Sequence, residues 1–164
     1  MEHDDSYQQD LDALLLPYEE LVKVLPRYKV HLETINAYLE RVENAMGQRL
    51  FTVLKENPVM LSKAFRYSAQ MESLEDKYRV HQEKIEARIY RQYNEGYARK
   101  LTPSDIKMYM NGEEEYAAVK EIMNEIVWYK RQFKGYVEVL KSLGFALKSM
   151  TDLRINSLEY ETID

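Results

Sequence analysis

Ten apolar side chains recur at alternating steps of three and four residues in the C-terminal third of the chain: Val119, Ile122, Ile126, Tyr129, Phe133, Tyr136, Leu140, Leu143, Leu147 and Met150. A step averaging about 3.5 residues holds them on one helix face, and a seam of this length is ordinarily met by another helix along its whole extent. Two arrangements satisfy such a seam: an intramolecular bundle with upstream helices, or assembly between chains. The aromatics Tyr129, Phe133 and Tyr136 suit multi-helix packing better than a tight two-stranded coil. Gly144 costs the helix about 1 kcal/mol relative to Ala. The stripe keeps its register across that glycine, which predicts an unbroken helix with a close backbone contact there.

A second stripe runs from Leu11 through Leu14, Tyr18, Leu21, Leu25, Tyr28, Leu32, Ile35, Leu39, Val42 and Met46. Pro17 and Pro26 interrupt it, and a proline removes a backbone donor and clashes one turn back. The expectation is one or two short helices, then a long one from about Pro26 to Lys55. Asn57-Pro58 reads as an N-cap and first-turn proline opening a helix to about Tyr93, with Met60, Ala64, Tyr67, Met71, Leu74, Tyr78, His81 and Ile85 on its apolar face. Asn94-Glu95-Gly96 stops it. Thr102 and Asp105 form a capping box around Pro103 for a short helix closing at Asn111-Gly112. Glu113, Glu114 and Glu115 then place negative charge at the positive end of the long C-terminal helix.

With only five Gly and four Pro in 164 residues and 31% charged residues, the chain has little material for turns. An all-α fold follows, as long amphipathic helices forming an elongated subunit that assembles through its C-terminal helix. No stretch approaches 18 uncharged apolar residues, and Met1-Glu2-His3-Asp4-Asp5 is acidic where a signal peptide is basic and apolar, so the expectation is a soluble, unexported protein with no membrane partner. The absence of cysteine excludes disulfides, a thiol nucleophile and Cys-ligated zinc, and agrees with a reducing compartment.

Enzyme chemistry has no foothold. His3, His31 and His81 lie far apart with no second ligand at helical spacing, and neither a Gly-rich phosphate loop nor a nucleophile elbow is present. The expectation is a non-enzyme with no metal and no cofactor.

Charge is unevenly placed. Residues 1–60 hold 6 Lys and Arg against 11 Asp and Glu, whereas residues 77–107 hold 8 against 4. A basic centre in an acidic chain points to a local site for a polyanion. Its cations, Lys77, Arg79, Lys84, Arg88, Arg91, Arg99, Lys100 and Lys107, are interleaved with Tyr78, Tyr90, Tyr93, Tyr97 and Tyr109. Positive charge engages phosphates and tyrosine rings stack on any base, the combination used for sequence-tolerant binding of single strands. A solvated face with tyrosines packed in the core accounts for the same letters. Lys84, Arg88 and Arg91 share one helix edge at three-four spacing.

The segment from Ser104-Asp105-Ile106-Lys107 to Arg154 resembles, without gaps, the C-terminal half of the phage recombination mediator proteins, the UvsY family of T-even-like phages. Its most specific part is Lys141-Ser142, Gly144-Phe145-Ala146, Lys148, Asp152 and Arg154. A weaker likeness extends upstream through Asn57 to Leu61 and from Ala87 to Tyr93. The resemblance implies a cytoplasmic phage protein that binds single-stranded DNA, forms a hexameric or heptameric homo-oligomeric ring through its C-terminal region, and helps load a RecA-like recombinase onto DNA covered by single-strand binding protein. It implies roles in recombination, recombination-dependent replication and repair.

On that basis residues 57–164 form the mediator-like domain, with DNA binding at about 77–107 and the oligomerisation helix at about 113–154, and residues 1–56 an acidic helical extension. The expected DNA-binding residues are Lys84, Arg88, Arg91, Arg99, Lys100, Lys107, Tyr90, Tyr93 and Tyr97. The expected oligomerisation residues are Ile126, Tyr129, Phe133, Tyr136, Leu140, Leu143, Gly144, Phe145, Leu147 and Met150. The family's DNA-binding motif carries a Lys-Ala-Arg run where this chain reads Glu86-Ala87-Arg88, so only the arginine carries over and Lys84 or Arg91 is the candidate substitute. The rival functions are a structural or assembly coiled-coil protein of a phage without DNA binding, and a small helical regulator of a host enzyme.

Overall fold

Helix-forming periodicity governs the whole chain. A computed structural model describes residues 18–45, 48–96 and 101–161, and over them the fold is all-α, with five helices and no strand. They are α1 (Tyr18–Glu43), α2 (Gln48–Leu54), α3 (Asn57–Gly96), α4 (Pro103–Gly112) and α5 (Glu114–Glu161).

Local sequence chemistry sets several boundaries. Thr102 caps α4 from an extended conformation, its hydroxyl accepting from the Asp105 N–H at 3.2 Å while the Asp105 carboxylate accepts from the Thr102 N–H at 3.1 Å. Glu114 and Glu115 occupy the first turn of α5, where the helix dipole favours them.

The N-terminal third departs from expectation. α1 passes straight through Pro26 and ends at Glu43, instead of restarting at Pro26 and running to Lys55. Pro26 faces solvent, so the interior backbone bond it removes is lost beside water and the helix continues past it. The break comes at Asn44-Ala45, where the Asn44 amide donates to the Glu40 carbonyl at 2.8 Å and the Ala45 N–H bonds three residues back to Val42. Pro17 lies outside the described residues.

The chain forms two compact units, each assembled from separated segments. Among the described residues, one comprises 18–25, 70–96 and 101–130, the other 26–45, 48–69 and 131–161. The expected segment boundary at residue 56 falls within the second unit, between α2 and α3.

In the first unit, Ile85 and Ile89 of α3 close a core cluster with Tyr116 and Val119 of α5, and Tyr93 and Met110 pack against its edge. Glu75 and Lys130 form a half-buried ion pair at the other end of the same helix pair. In the second unit, an aromatic cluster joins three helices: the Tyr67 and Phe133 ring centres lie 5.3 Å apart, with Tyr28 edge-on to both at 6.0 and 6.4 Å. His31 stacks on Tyr67 at 4.1 Å.

Asn57 is buried, and its side chain serves tertiary structure in place of the expected N-cap role. Its Nδ2 donates to the Leu140 carbonyl at 2.8 Å, and its Oδ1 accepts from the Tyr38 hydroxyl at 3.5 Å. The start of α3 is held from behind, with the Glu56 carbonyl accepting from the N–H groups of Val59 and Met60. α5 runs unbroken through Gly144, as expected from its register.

Candidate nucleic-acid interface

The outer edge of α3 carries five cationic or imidazole side chains in one line: Lys77, His81, Lys84, Arg88 and Arg91, at steps of four, three, four and three. All five are exposed. At 1.5 Å per residue they span about 21 Å of helix, a row of donors about 5 Å apart suited to a run of phosphates. The apolar stripe expected on α3 is buried at Ala64, Tyr67, Met71, Leu74, Tyr78 and Ile85, but His81 leaves it and joins the basic line. The signal was present in the four-three spacing from Lys77 to Arg91. His81 also continues the apolar spacing, so the spacing alone places it on either face.

Glu86 lies off this line. Its Oε1 accepts from the Tyr116 hydroxyl of α5 and from Gln82, each at 2.9 Å. Burial, then the hydrogen bond to Glu86, holds the Tyr116 phenol above its usual pKa and keeps it a donor. Glu86 therefore bonds to the chain's own helices and leaves the row of cations uninterrupted.

Members of the line have local partners, among them His81, whose ring meets Tyr78 edge-on at 6.2 Å. Arg88 forms an ion pair with Glu115, both side chains more than half exposed, and the Arg91 Nε donates to the Ala87 carbonyl at 3.4 Å. Arg79, off the line, pairs with Asp76 at 2.7 Å.

The candidate tyrosines separate. Tyr93 is stacked on Tyr109 of α4 at 5.4 Å with near-parallel rings, and its hydroxyl donates to Glu113. Tyr90 is exposed but points away from the basic line by the helix's own periodicity. Lys107 is exposed on α4, and Tyr97, Arg99 and Lys100 lie outside the described residues.

The C-terminal stripe also divides. Ile126, Tyr129, Phe133 and Leu140 are buried by the chain's own helices, so over this stretch the seam expected between chains is filled from within. Tyr136 is half-buried and donates its hydroxyl to Asn36 of α1 at 2.5 Å. Leu143, Gly144 and Leu147 are half-buried, and Met150 is exposed. Phe145, at 73% exposure, and Leu153, at 67%, lie out of phase with the stripe and face solvent.

Elsewhere, a cleft of about 490 Å³ between α1 and α2 is lined by Glu40, Arg41, Asn44, Arg49, Thr52 and Glu56. Across it Arg41 grips Glu56 with two bonds of 3.2 and 2.7 Å. Among the described residues no group of three or more His, Asp or Glu is placed to hold a metal ion, and no helix is long and apolar enough to cross a membrane.

Comparison with protein-family models, with curated proteins and with solved structures finds no match for this chain.

Proposed function

We propose that this chain is a recombination mediator: it binds single-stranded DNA along the outer edge of α3 and helps load a RecA-like recombinase onto DNA covered by single-strand binding protein. The observation that carries this reading is the uninterrupted line Lys77, His81, Lys84, Arg88 and Arg91, exposed together in a chain of net charge −5. The resemblance of residues 104–154 to the UvsY family supplies the biological setting, in recombination, recombination-dependent replication and repair.

A single short line of cations makes few phosphate contacts and binds weakly. Repetition in a homo-oligomer raises the effective concentration for one flexible strand. The exposed apolar side chains Phe145, Met150 and Leu153 at the end of α5 supply a surface for that assembly, in a ring of six or seven copies.

Fluorescence anisotropy with a labelled oligothymidylate tests the reading. Salt-sensitive binding that weakens at least tenfold in the Lys84→Ala, Arg88→Ala, Arg91→Ala triple variant is the expected result. No binding at low ionic strength would leave the rival reading, a phage assembly protein whose basic edge meets another protein.

A further inference from the structure

The basic edge of α3 is met, within the same unit, by the acidic start of α5. Glu115 pairs with Arg88, and two residues upstream Glu113 accepts the hydroxyl of Tyr93, whose ring is already covered by Tyr109. Helix-dipole chemistry alone explains why acids stand at 113–115, but not why two of them reach the helix that carries the cations.

The Arg88 and Glu115 side chains are 59% and 53% exposed, unlike the Lys130–Glu75 pair at 19% and 22%. An exposed pair adds little to stability. It does, however, place a carboxylate on the guanidinium where a phosphate oxygen would sit, and carboxylate and phosphate compete for the same bidentate fork.

We infer that Glu115 is an intramolecular competitor of nucleic-acid phosphate for Arg88, so that binding a strand opens the Arg88–Glu115 pair and the start of α5 regulates occupancy of the basic edge. This rests on the nucleic-acid reading above. An incoming strand exchanges one anionic partner of Arg88 for another, while Glu115 keeps its favourable place at the α5 N-terminus. The exchange weakens the resting affinity of each chain by up to about fivefold, the scale of an exposed ion pair.

A double-mutant cycle on the full chain, read by anisotropy with labelled oligothymidylate, tests it. Glu115→Gln should tighten binding about two- to fivefold in the parent and have no effect in an Arg88→Ala background. Glu121→Gln, which removes the same charge from an exposed position elsewhere on α5, should tighten it less than Glu115→Gln does. An equal gain from Glu121→Gln, a gain that persists without Arg88, or no gain in a parent that does bind, overturns the competition. Absence of salt-sensitive binding in both the parent and Glu115→Gln overturns the nucleic-acid reading itself, and the competition with it.

Discussion

The side-chain amide of Asn57 lies 3.3 Å from the point a Cβ on Gly144 would occupy. The same amide hydrogen-bonds the Leu140 carbonyl, one turn before Gly144 on α5. The glycine is thus the space into which α3 inserts its first side chain. That contact explains why a residue unfavourable to helices stands in the middle of one.

A cycle of substitutions reads this contact. Asn57→Ala should cost about 1–3 kcal/mol by unfolding in urea, since it deprives the buried Tyr38 hydroxyl of its acceptor. Gly144→Ala should be near neutral in the parent, its helix gain of about 1 kcal/mol offset by displacement of the amide. In the Asn57→Ala background the gain should appear in full, and a strictly additive cycle would show the two positions to be independent.

On the proposed reading, substitutions on α5 should separate assembly from folding. Phe133 is fully buried, so Phe133→Ala should destabilise the chain by about 3–5 kcal/mol whatever its oligomeric state. Phe145→Asp falls on an exposed position and should leave the thermal midpoint within a few degrees while reducing the mass seen by light scattering to that of one chain. Retention of the full mass would move the interface away from the end of α5.

Salt dependence counts the cations of the line. Each phosphate contact on a single strand contributes about 0.7 to the slope of log affinity against log salt, so Lys84→Ala with Arg91→Ala should lower that slope by about 1.4. A weaker affinity with an unchanged slope would mean that the two side chains act through structure.

Alkali should unfold the protein. Burial raises the Tyr38, Tyr116, Tyr129 and Tyr136 phenols above 10.0 in the folded chain. Above the unfolded value the unfolded chain holds fewer protons than the folded one, so stability falls as pH rises past about 10 and is unaffected below it. Tyrosine ionisation followed by ultraviolet absorbance should show these phenols titrating together with loss of helical circular dichroism. Smooth ionisation of all fourteen tyrosines with helix intact would contradict their burial.

Local rules made α4 and the C-terminal end of α3 legible in the sequence, because Thr102, Asp105 and Gly96 act within a turn of themselves. They misled at Pro26 and Asn57. Each has a strong local preference that its surroundings override: solvent accommodates the lost bond at Pro26, and Asn57 bonds to a helix 83 residues away. Periodicity marked the sticky face of α5, but not which partner covers it, since a buried leucine is indifferent to the chain of origin of its neighbours. Lys84, Arg88 and Arg91 were readable as one edge. The pairing of Arg88 with Glu115 was not, because it depends on the turn through α4 that brings two distant helix ends together.

The separated composition of the two units bears on how the chain reaches this state. Contacts such as Glu86–Tyr116 and Arg88–Glu115 close loops of 30 and 27 residues, whereas Asn57–Leu140 and Asn36–Tyr136 span 83 and 100. Shorter loops close at lower entropic cost, so the hairpin turn of α3, α4 and α5, like the Arg41–Glu56 and Tyr38–Asn57 contacts that span 15 and 19 residues, forms ahead of the contacts that join α1 and the start of α3 to the later half of α5. Pulsed hydrogen exchange should protect the Ile85 and Val119 amides before those of the buried Val137 and Leu140, and simultaneous protection would argue against this order. During synthesis α1 leaves the ribosome before either partner, meets the start of α3 next, and holds the side of its face that Phe133 and Tyr136 cover open until α5 follows.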